Sequence, residues 1–490
     1  MRLKNVLFSL VAICLPLVGF VLVEGALRVL GVGQAQRIAF QPVPDHEDYL
    51  VFNTNYLKRY FSSFEPVVAF HPFEKQKKEG TFRVFVLGGS STAGYPYHTT
   101  YSFPARLQAR LEVAAVGQTI EVINLGINAA SSYVLWDLKD ELVAQQPDAL
   151  ILYAGHNEFY GAFGVGSTLH SLGNQLWLKR GVLRLKRSAL FLLLAGLMPE
   201  KEGSDEDRSF FARTIEDAQI VLQGDVYRAG LSQYAENMRD LLATFQEAEI
   251  PVYAGLLASN LKDRVPLSDH TEAQQAFDKG KALFAHGDTV AARAAFLEAK
   301  ENDTIRFRAP EAFNKILHAF EEERLLTLVD VQRIAQTHSE SQIEDGTFFT
   351  DHLHPDYEGY NTIADAFFER LKDHHHLRLT SLTSGADAPY QIDPFEQGYA
   401  HLQALSVLST YPFDRTATRE KELQFARHML RQYQQSTSEW DRLVHRVYTT
   451  GLTVPQALEH GIRLAKSKRD TLTTLLFYRS ALDWHVFDDD

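Results

Sequence analysis

Two short segments carry residue types that could perform nucleophilic catalysis. Ser90 lies in the run Gly-Gly-Ser-Ser-Thr-Ala-Gly, and Asp351 precedes His354 by three residues in Asp-His-Leu-His-Pro. A serine hydroxyl becomes a nucleophile when a neighbouring base takes its proton, and histidine suits that task because its pKa lies near neutrality. Each segment alone has another interpretation. Ser90 could cap a following helix, and Asp351, His352 and His354 could be metal ligands.

The elements that must position these segments alternate between strands and helices. Apolar runs predict strands at Phe82–Leu87, Ile120–Leu125, Ala149–Ala154, Pro251–Leu256 and Leu326–Val329, with helices such as Pro104–Val113 and Tyr227–Glu249 between them. The alternation is typical of an α/β fold with a mostly parallel sheet and helices on both faces. Sites in such sheets lie outside the carboxyl ends of the strands. We therefore expect the chemistry in the segments that directly follow the strands.

Four segments in these positions match a known family in their order along the chain. They are the run around Ser90, Asn124-Leu-Gly-Ile-Asn-Ala-Ala130, Gly155-His-Asn-Glu158 and Asp351-His-Leu-His-Pro355. Together, over residues 81–372, they resemble the conserved blocks of the SGNH (GDSL-type) hydrolase superfamily. A membrane anchor with an inserted repeat also resembles a bacterial branch of that superfamily. The resemblance implies a flavodoxin-like, doubly wound parallel sheet and a serine hydrolase that acts on ester bonds without a metal or organic cofactor.

The resemblance also implies a role for each matching residue. Ser90 resembles the nucleophile, His354 the general base and Asp351 the carboxylate that orients the base. The oxyanion hole would combine Ser90 with the backbone amide of Gly126 and the side-chain amide of Asn157. Donors from three strand ends can converge on the developing negative oxygen, and losing one typically lowers the rate by about 100- to 1000-fold.

Two departures from the family pattern bear on the substrate. Gly89 replaces the usual aspartate before the nucleophile, and Glu158 replaces the usual aspartate after the oxyanion asparagine. Three further polar residues, Asn260, Arg306 and Arg308, are predicted to lie near the strand ends. They could hold a polar or anionic group of the substrate. The alternative is that they form surface ion pairs and pack loops.

The N-terminus carries an apolar run long enough for a membrane anchor. Val6–Val23 follows Arg2 and Lys4 and ends at Glu24. Its eighteen residues rise about 27 Å as a helix, close to the roughly 30 Å of a hydrocarbon core. The exit lacks an Ala-x-Ala-like cleavage site, which favours an uncleaved anchor at residues 1–30 over a signal peptide. The positive charges favour a cytoplasmic N-terminus, so we expect a single-pass protein of the cell (inner) membrane with its body on the periplasmic or extracellular side.

The rest of the chain divides into a stalk, a catalytic body and a helical tail. We interpret residues 31–80 as a stalk or linker that could pack on the body, and residues 81–377 as the hydrolase domain. Residues 378–490 carry helical, amphipathic patterns and predict a C-terminal helical domain. Two insertions interrupt the body, at 162–225 and at 270–308.

The two insertions have different patterns. The first contains segment 175–197, which is basic and then apolar. It could lie in the membrane interface with its basic residues toward lipid headgroups, or form a buried helix with a solvated basic lead-in. The second insertion resembles one tetratricopeptide repeat and predicts a helical hairpin. That hairpin could dock a protein partner or shape the substrate cleft.

The composition of the chain excludes one class of partner and one kind of cross-link. The chain has 490 residues and 49 Lys and Arg against 62 Asp and Glu, a net charge of −13 that argues against nucleic acid as a partner. Its single cysteine, Cys14, excludes disulfides within the chain. We predict a membrane-anchored serine esterase or acyl hydrolase that forms an acyl-enzyme on an envelope glycan or lipid. The alternatives are an O-acyltransferase acting on a polysaccharide and a non-catalytic scaffold that uses the repeat and tail.

Overall fold

The computed structural model describes residues 2–61, 66, 68–167, 175–197, 219–380, 392–408 and 418–483. For residues 2–13, 17, 394, 408, 418–423, 426, 472, 479, 480, 482 and 483 it describes the backbone alone. The predicted insertion 162–225 therefore lies partly outside the described residues.

Five parallel strands form the centre of the body. They are β1 (Thr81–Gly88), β2 (Thr119–Gly126), β3 (Ala149–Tyr153), β4 (Val252–Gly255) and β5 (Thr327–Val329). Their order across the sheet is β2-β1-β3-β4-β5, and each neighbouring pair is parallel. All eight residues of β1 are buried, as expected for a central strand covered on both faces. The predicted parallel α/β sheet is confirmed, and every predicted strand agrees to within one residue at both ends.

Helices connect the strands and pack in two groups. Phe103–Ala114 contacts Tyr357–Leu371, and Ser132–Val143 contacts Asp225–Glu247. The helix Phe103–Ala114 begins where the hydroxyl of Ser102 accepts a hydrogen bond from the Ala105 amide. The described helices of the body are Ser90–Ala93, Phe103–Ala114, Ser132–Val143, Leu176–Leu185, Ala189–Gly196, Asp225–Glu247, Thr271–Ala285, Thr289–Asn302, Glu311–Glu322, Val331–His338 and Tyr357–Leu371.

Residues 31–80 pack on the body and do not form an extended linker. After the short helix Gln34–Arg37, the strands Phe40–Val43, His46–Phe52 and Phe73–Glu74 form an antiparallel sheet, and Thr54–Arg59 is a 3₁₀ helix. The aromatic side chains of Phe40, Phe52, Tyr56 and Phe73 belong to the same hydrophobic core as the central sheet. Burial of a side chain of this size contributes about 1.5–3 kcal/mol, so this segment is held to the body by its aromatic residues.

Segment 175–197 forms two short helices, Leu176–Leu185 and Ala189–Gly196. Two of its basic side chains turn inward: Lys179 donates to the Phe163 carbonyl at 2.7 Å, and Arg187 pairs with Asp137 at 2.8 Å. The apolar end is the exposed part, with Leu197 at 75%. The lead-in is therefore only partly solvated, because Lys179 and Arg187 satisfy acceptors of the body whereas Arg184 is exposed. The position of this segment in a membrane interface stays a prediction.

The second insertion is a helical hairpin formed by Thr271–Ala285 and Thr289–Asn302. Phe277 and Phe296 pack together and reach Leu261 and Ile343 of the body, so the hairpin buries its apolar face against the sheet domain. The hairpin was predicted from the sequence. Its assignment as a tetratricopeptide repeat, and its use as a dock for a partner, stay predictions.

The tail is a bundle of helices with its own hydrophobic core. The described helices are Pro394–Leu408, Thr418–Gln435, Glu439–Thr450, Val454–Ser467 and Thr471–Asp483. Phe395, Leu443, Leu458 and Phe477 lie in this core. The helical character of this region was predicted from the sequence.

The N-terminal helix, Arg2–Val29, ends against the body. Its Glu24 carboxylate accepts hydrogen bonds from the Ser188 hydroxyl at 2.7 Å and from the Ala189 and Leu190 amides at 2.9 and 3.0 Å. Glu24 thereby satisfies the free amides at the start of the helix Ala189–Gly196.

Among the described residues, no helix is both long enough and apolar enough to cross a membrane. The side chains of residues 6–13 and 17 lie outside the described part of the chain. The membrane anchor therefore stays a prediction.

Candidate active site

Ser90 lies where the first strand meets a short helix. β1 ends at Gly88, and Ser90 is the first residue of the helix Ser90–Ala93. A Cβ atom on Gly89 would lie 2.4 Å from Asn157 Nδ2, so glycine at this position lets the Asn157 amide approach the nucleophile. Within the described residues the Ser90 amide makes no hydrogen bond. The turn therefore presents the hydroxyl and the amide of Ser90 together at the carboxyl end of the strand.

Three residues that are far apart in the sequence form a continuous hydrogen-bonded chain. Ser90 Oγ lies 2.7 Å from His354 Nε2, and His354 Nδ1 lies 2.6 Å from Asp351 Oδ2. Such a chain can take the proton of the serine hydroxyl and later deliver it to a leaving group. Possible metal-ligand atoms of Asp351, His352 and His354 lie within 4.8 Å of one another. Both ring nitrogens of His354 are already hydrogen-bonded, however, which favours a base over a metal ligand.

Asp351 is fully buried and is held as an anion. Its Oδ1 accepts the backbone amides of Leu353 and His354 at 2.9 and 2.8 Å. Burial by itself raises the pKa of a carboxyl, but the neighbouring His354 and His352 and these hydrogen bonds hold the pKa of Asp351 well below its usual range. The carboxylate can therefore fix the His354 tautomer and stabilise the imidazolium.

Two other imidazoles beside the triad stay neutral. Burial lowers the pKa of His156 and of His352 to about 3. His156 Nδ1 accepts the Ala309 amide at 3.2 Å, which leaves its proton on Nε2. Neither ring therefore competes as a base near neutral pH.

Two of the three predicted oxyanion donors lie beside the nucleophile. The Asn157 side chain forms no hydrogen bond with another described residue, and the Ser90 amide is also unpaired there. The Gly126 amide, by contrast, donates to Asn124 Oδ1 at 2.8 Å. The prediction of Gly126 as a donor is therefore not supported. A Cβ atom at Gly126 would lie 2.1 Å from the Ala93 amide nitrogen, so this glycine lets the nucleophile helix pack on the end of β2.

Glu158, one of the two departures from the family pattern, has a structural role in the fold. It is buried and accepts hydrogen bonds from the Ser132 amide at 2.8 Å and the Ser132 hydroxyl at 2.7 Å. Burial raises the pKa of Glu158 to about 7, despite these hydrogen bonds and the nearby Lys179. The longer glutamate thus ties the segment that carries Asn157 to the helix Ser132–Val143.

The three predicted substrate residues turn into the protein. Asn260, Arg306 and Arg308 are all buried. The Asn260 side chain donates to the Asp351 carbonyl at 3.4 Å, and its backbone amide donates to the His352 carbonyl at 3.0 Å. Arg306 and Arg308 donate to backbone carbonyls at 2.7 and 3.0 Å. The predicted substrate contact is not supported, because these donors are used inside the protein. Asn260 braces the loop that carries the acid and the base, Arg306 donates to the Ile220 carbonyl and Arg308 to the Asn260 carbonyl.

Sequence reasoning missed Tyr95 as a neighbour of the triad. The centroid of its ring lies 4.6 Å from that of His354. Its hydroxyl donates to the carbonyl of Gln403, in the first helix of the tail, at 3.5 Å. The position of Tyr95 five residues after Ser90 was a signal that could have been used, whereas nothing local in the sequence placed the tail here.

A family comparison agrees with this geometry. The model of a family described as GDSL-like lipase/acylhydrolase matches residues 86–362, more than half of the 490 residues. The chain belongs to the GDSL-like lipase/acylhydrolase family. As a member of this GDSL-like family it is a serine hydrolase that acts on ester bonds. The region matched by the GDSL-like family model begins in β1 and ends in the helix Tyr357–Leu371.

Several solved structures of GDSL-like and related enzymes are similar to this chain. The lipase/acylhydrolase from Enterococcus faecalis is 14% identical, and the match covers 62% of this chain and 100% of that chain, with a TM-score of 0.32. A catalytic mutant of an acetylxylan esterase from Geobacillus stearothermophilus is 14% identical over 62% and 99%, with a TM-score of 0.32. A GDSL-like lipase from Bacteroides thetaiotaomicron is 11% identical over 61% and 91%, with a TM-score of 0.31. TM-scores this low carry no argument about this chain. No curated protein sequence matches it.

Proposed function

We propose that the chain is an esterase in which Ser90, His354 and Asp351 form the catalytic triad. Asn157 and the backbone amide of Ser90 would form the oxyanion hole. The observation that carries the proposal is the unbroken chain from Ser90 Oγ through His354 to Asp351, with contacts of 2.7 and 2.6 Å. The unpaired Asn157 amide beside it supplies the donor that a developing oxyanion needs.

The reaction would proceed through an acyl-enzyme. His354 Nε2 takes the Ser90 proton while Oγ attacks the ester carbonyl carbon, and the carbonyl oxygen becomes an oxyanion facing Asn157 and the Ser90 amide. Collapse of this intermediate breaks the bond to the alcohol, which leaves with the proton from His354. Water, activated by His354, then attacks the acyl carbon. The carboxylic acid departs and Ser90 regains its proton.

We further infer that the enzyme is tethered to the cell (inner) membrane and acts on an acyl group of an envelope glycan or lipid. What supports the tether is the apolar run Val6–Val23 after Arg2 and Lys4, within the single helix Arg2–Val29. An exported body at the membrane would meet envelope esters first. Alkaline carbonate should leave the full chain in the membrane pellet, and protease outside the inner membrane should digest the body. Release by carbonate or protection from protease would contradict this location.

The triad is tested by labelling the full-length protein, purified in detergent, with a fluorophosphonate probe and locating the adduct by peptide mass spectrometry. We expect the adduct on Ser90, and none in Ser90→Ala or His354→Ala. Ser91→Ala is the matched control, because Ser91 Oγ is buried without a hydrogen-bond partner among the described residues. Labelling of that variant should be unchanged. A folded protein without label would contradict the proposal and favour the scaffold alternative.

An O-acyltransferase would use the same triad and give the same adduct, so the products must distinguish the two. With p-nitrophenyl acetate as donor and an oligosaccharide present, a hydrolase releases free acetate. Acetylated oligosaccharide as the main product would favour the transferase.

A further inference from the structure

A cavity of about 120 Å³ lies beside the triad, between the segment 93–99 and the helix Pro394–Leu408. Six of the residues that line it are Tyr95, Pro96, Tyr97, Asn128, Tyr399 and Gln403. Tyr95 lines the cavity and also packs beside the triad, since its ring centroid lies 4.6 Å from that of His354. A group bound in this cavity would therefore lie next to the reacting ester.

The lining combines aromatic faces with neutral polar groups. None of the residues that line the cavity is Asp, Glu, Lys or Arg. Asn128 Oδ1 is buried and has no hydrogen-bond partner within the described residues, so it can accept a hydrogen bond from a ligand hydroxyl. Aromatic rings and a proline present flat apolar surface, and the amide oxygens of Asn128 and Gln403 can accept hydrogen bonds. The Gln403 amide nitrogen donates to the Tyr399 hydroxyl at 2.6 Å, which orients both side chains. This set suits a neutral group with several hydroxyls, whereas an alkyl chain would leave the Asn128 oxygen unpaired.

The tail helix is fixed to the body at this position. The buried Asp393 accepts a hydrogen bond from the Tyr101 hydroxyl at 2.9 Å, and the buried Glu396 accepts the His98 amide at 2.5 Å. On the tail side, Tyr399 stacks on Phe395 with ring centroids 5.6 Å apart. Tyr399 and Gln403 are therefore held in place as one wall of the cavity.

We propose that this cavity, the Tyr399 pocket, binds one neutral sugar unit in the alcohol half of the ester. The tail helix Pro394–Leu408 then takes part in substrate selection, because Tyr399 and Gln403 come from it. This inference rests on the proposed esterase function and adds the class of alcohol that the enzyme accepts.

The kinetic test compares glucose 6-acetate with p-nitrophenyl acetate, using the full-length enzyme in detergent. Tyr399→Ala should lower kcat/KM for the sugar ester, relative to p-nitrophenyl acetate, by about tenfold through a higher KM, as expected for loss of one aromatic contact. Gln403→Leu should have the same direction, and it keeps the proposal testable if Tyr399→Ala fails to fold. Gln397→Ala, at an exposed position of the same helix, is the matched control and should change neither ester.

A binding test separates this inference from the esterase function itself. Glucose, xylotriose and chitotriose are titrated by calorimetry into the Ser90→Ala protein and into Ser90→Ala/Tyr399→Ala. We expect at least one sugar to bind the first protein and to bind the second at least about tenfold more weakly. Failure of all three sugars to bind, or an equal loss of kcat/KM on both esters in Tyr399→Ala, would overturn the pocket assignment. Absence of fluorophosphonate labelling at Ser90 with sugar binding intact would overturn the esterase and leave the pocket standing.

Discussion

Replacing Glu158 by glutamine should remove the pH dependence that this buried carboxyl gives to folding stability. Glu158 accepts two hydrogen bonds from Ser132, and its burial raises its pKa from 4.5 to about 7. In the unfolded chain the same carboxyl loses its proton near pH 4.5. Between these pH values the folded protein binds more protons than the unfolded chain, so stability falls as the pH rises from about 4.5 to about 7.

The magnitude follows from the two pKa values. A change from 4.5 to about 7, at about 1.4 kcal/mol per unit, corresponds to about 3 kcal/mol of stability lost between pH 4.5 and pH 8. Glutamine stays neutral and keeps one oxygen that can accept the Ser132 amide. The variant should therefore gain about 3 kcal/mol relative to the parent on going from pH 5 to pH 8.

The measurement is the free energy of unfolding in urea at pH 5 and pH 8 for the parent and Glu158→Gln. Titrating groups that do not interact with Glu158, such as Asp356 with a pKa raised by burial to about 6, cancel in the difference between the two proteins. Glu247→Gln, at an exposed position, is the control and should follow the parent. Equal pH dependence of Glu158→Gln and the parent would refute the reasoning, because Glu158 would then be ionised throughout this range.

Three further predictions follow from contacts in the site and at the N-terminal helix. Asn157→Ala should lower kcat by about 100- to 1000-fold through loss of an oxyanion donor, and a change of less than about threefold in ester hydrolysis would place the oxyanion elsewhere. Gly89→Ala should lower kcat by about 10- to 100-fold, because its Cβ would lie 2.4 Å from Asn157 Nδ2 and displace that amide. An unchanged kcat in a variant whose Ser90 is fully labelled by the fluorophosphonate probe would contradict the geometry. In Glu24→Ala, trypsin should cleave at residues 184–187 faster than in the surface control Glu459→Ala, because the helix Ala189–Gly196 loses its cap. Equal cleavage rates in the two variants would count against this contact.

The sheet could be predicted because its signals are local, whereas Ser90, His354 and Asp351 were brought together only by considering the four segments over residues 81–372 jointly. The strands of the parallel sheet are continuous buried runs such as Phe82–Leu87, which few other elements imitate. The acid and the base lie three residues apart, so one turn presents both to the nucleophile. The pairing of the Gly126 amide could not be predicted, because the partner of a backbone amide depends on a side chain nearby, here the carboxamide oxygen of Asn124.

The remaining errors concern side chains whose environment is set by distant segments. Arg308 looked like a substrate ligand because it lies near the strand ends, but in the fold it donates to the Asn260 carbonyl. Lys179 looked solvated, yet it reaches the Phe163 carbonyl. Tyr399 lies about 300 residues from Ser90 in the sequence, and its place beside the triad depends on how the tail bundle packs on segment 93–99. No local pattern carries that information.

The carboxylate of Glu24 joins the N-terminal helix to the body through three hydrogen bonds. These bonds restrain the helix relative to the body, and the described aromatic residues of segment 31–80 pack on the body as well. With Arg2–Val29 as the tether, the serine would stand at one fixed height and one fixed orientation above the bilayer. The distance from the bilayer at which an ester can be cleaved would then be fixed by this attachment. Lengthening the segment between the helix and the body should therefore allow cleavage of esters farther from the bilayer, by the same reaction.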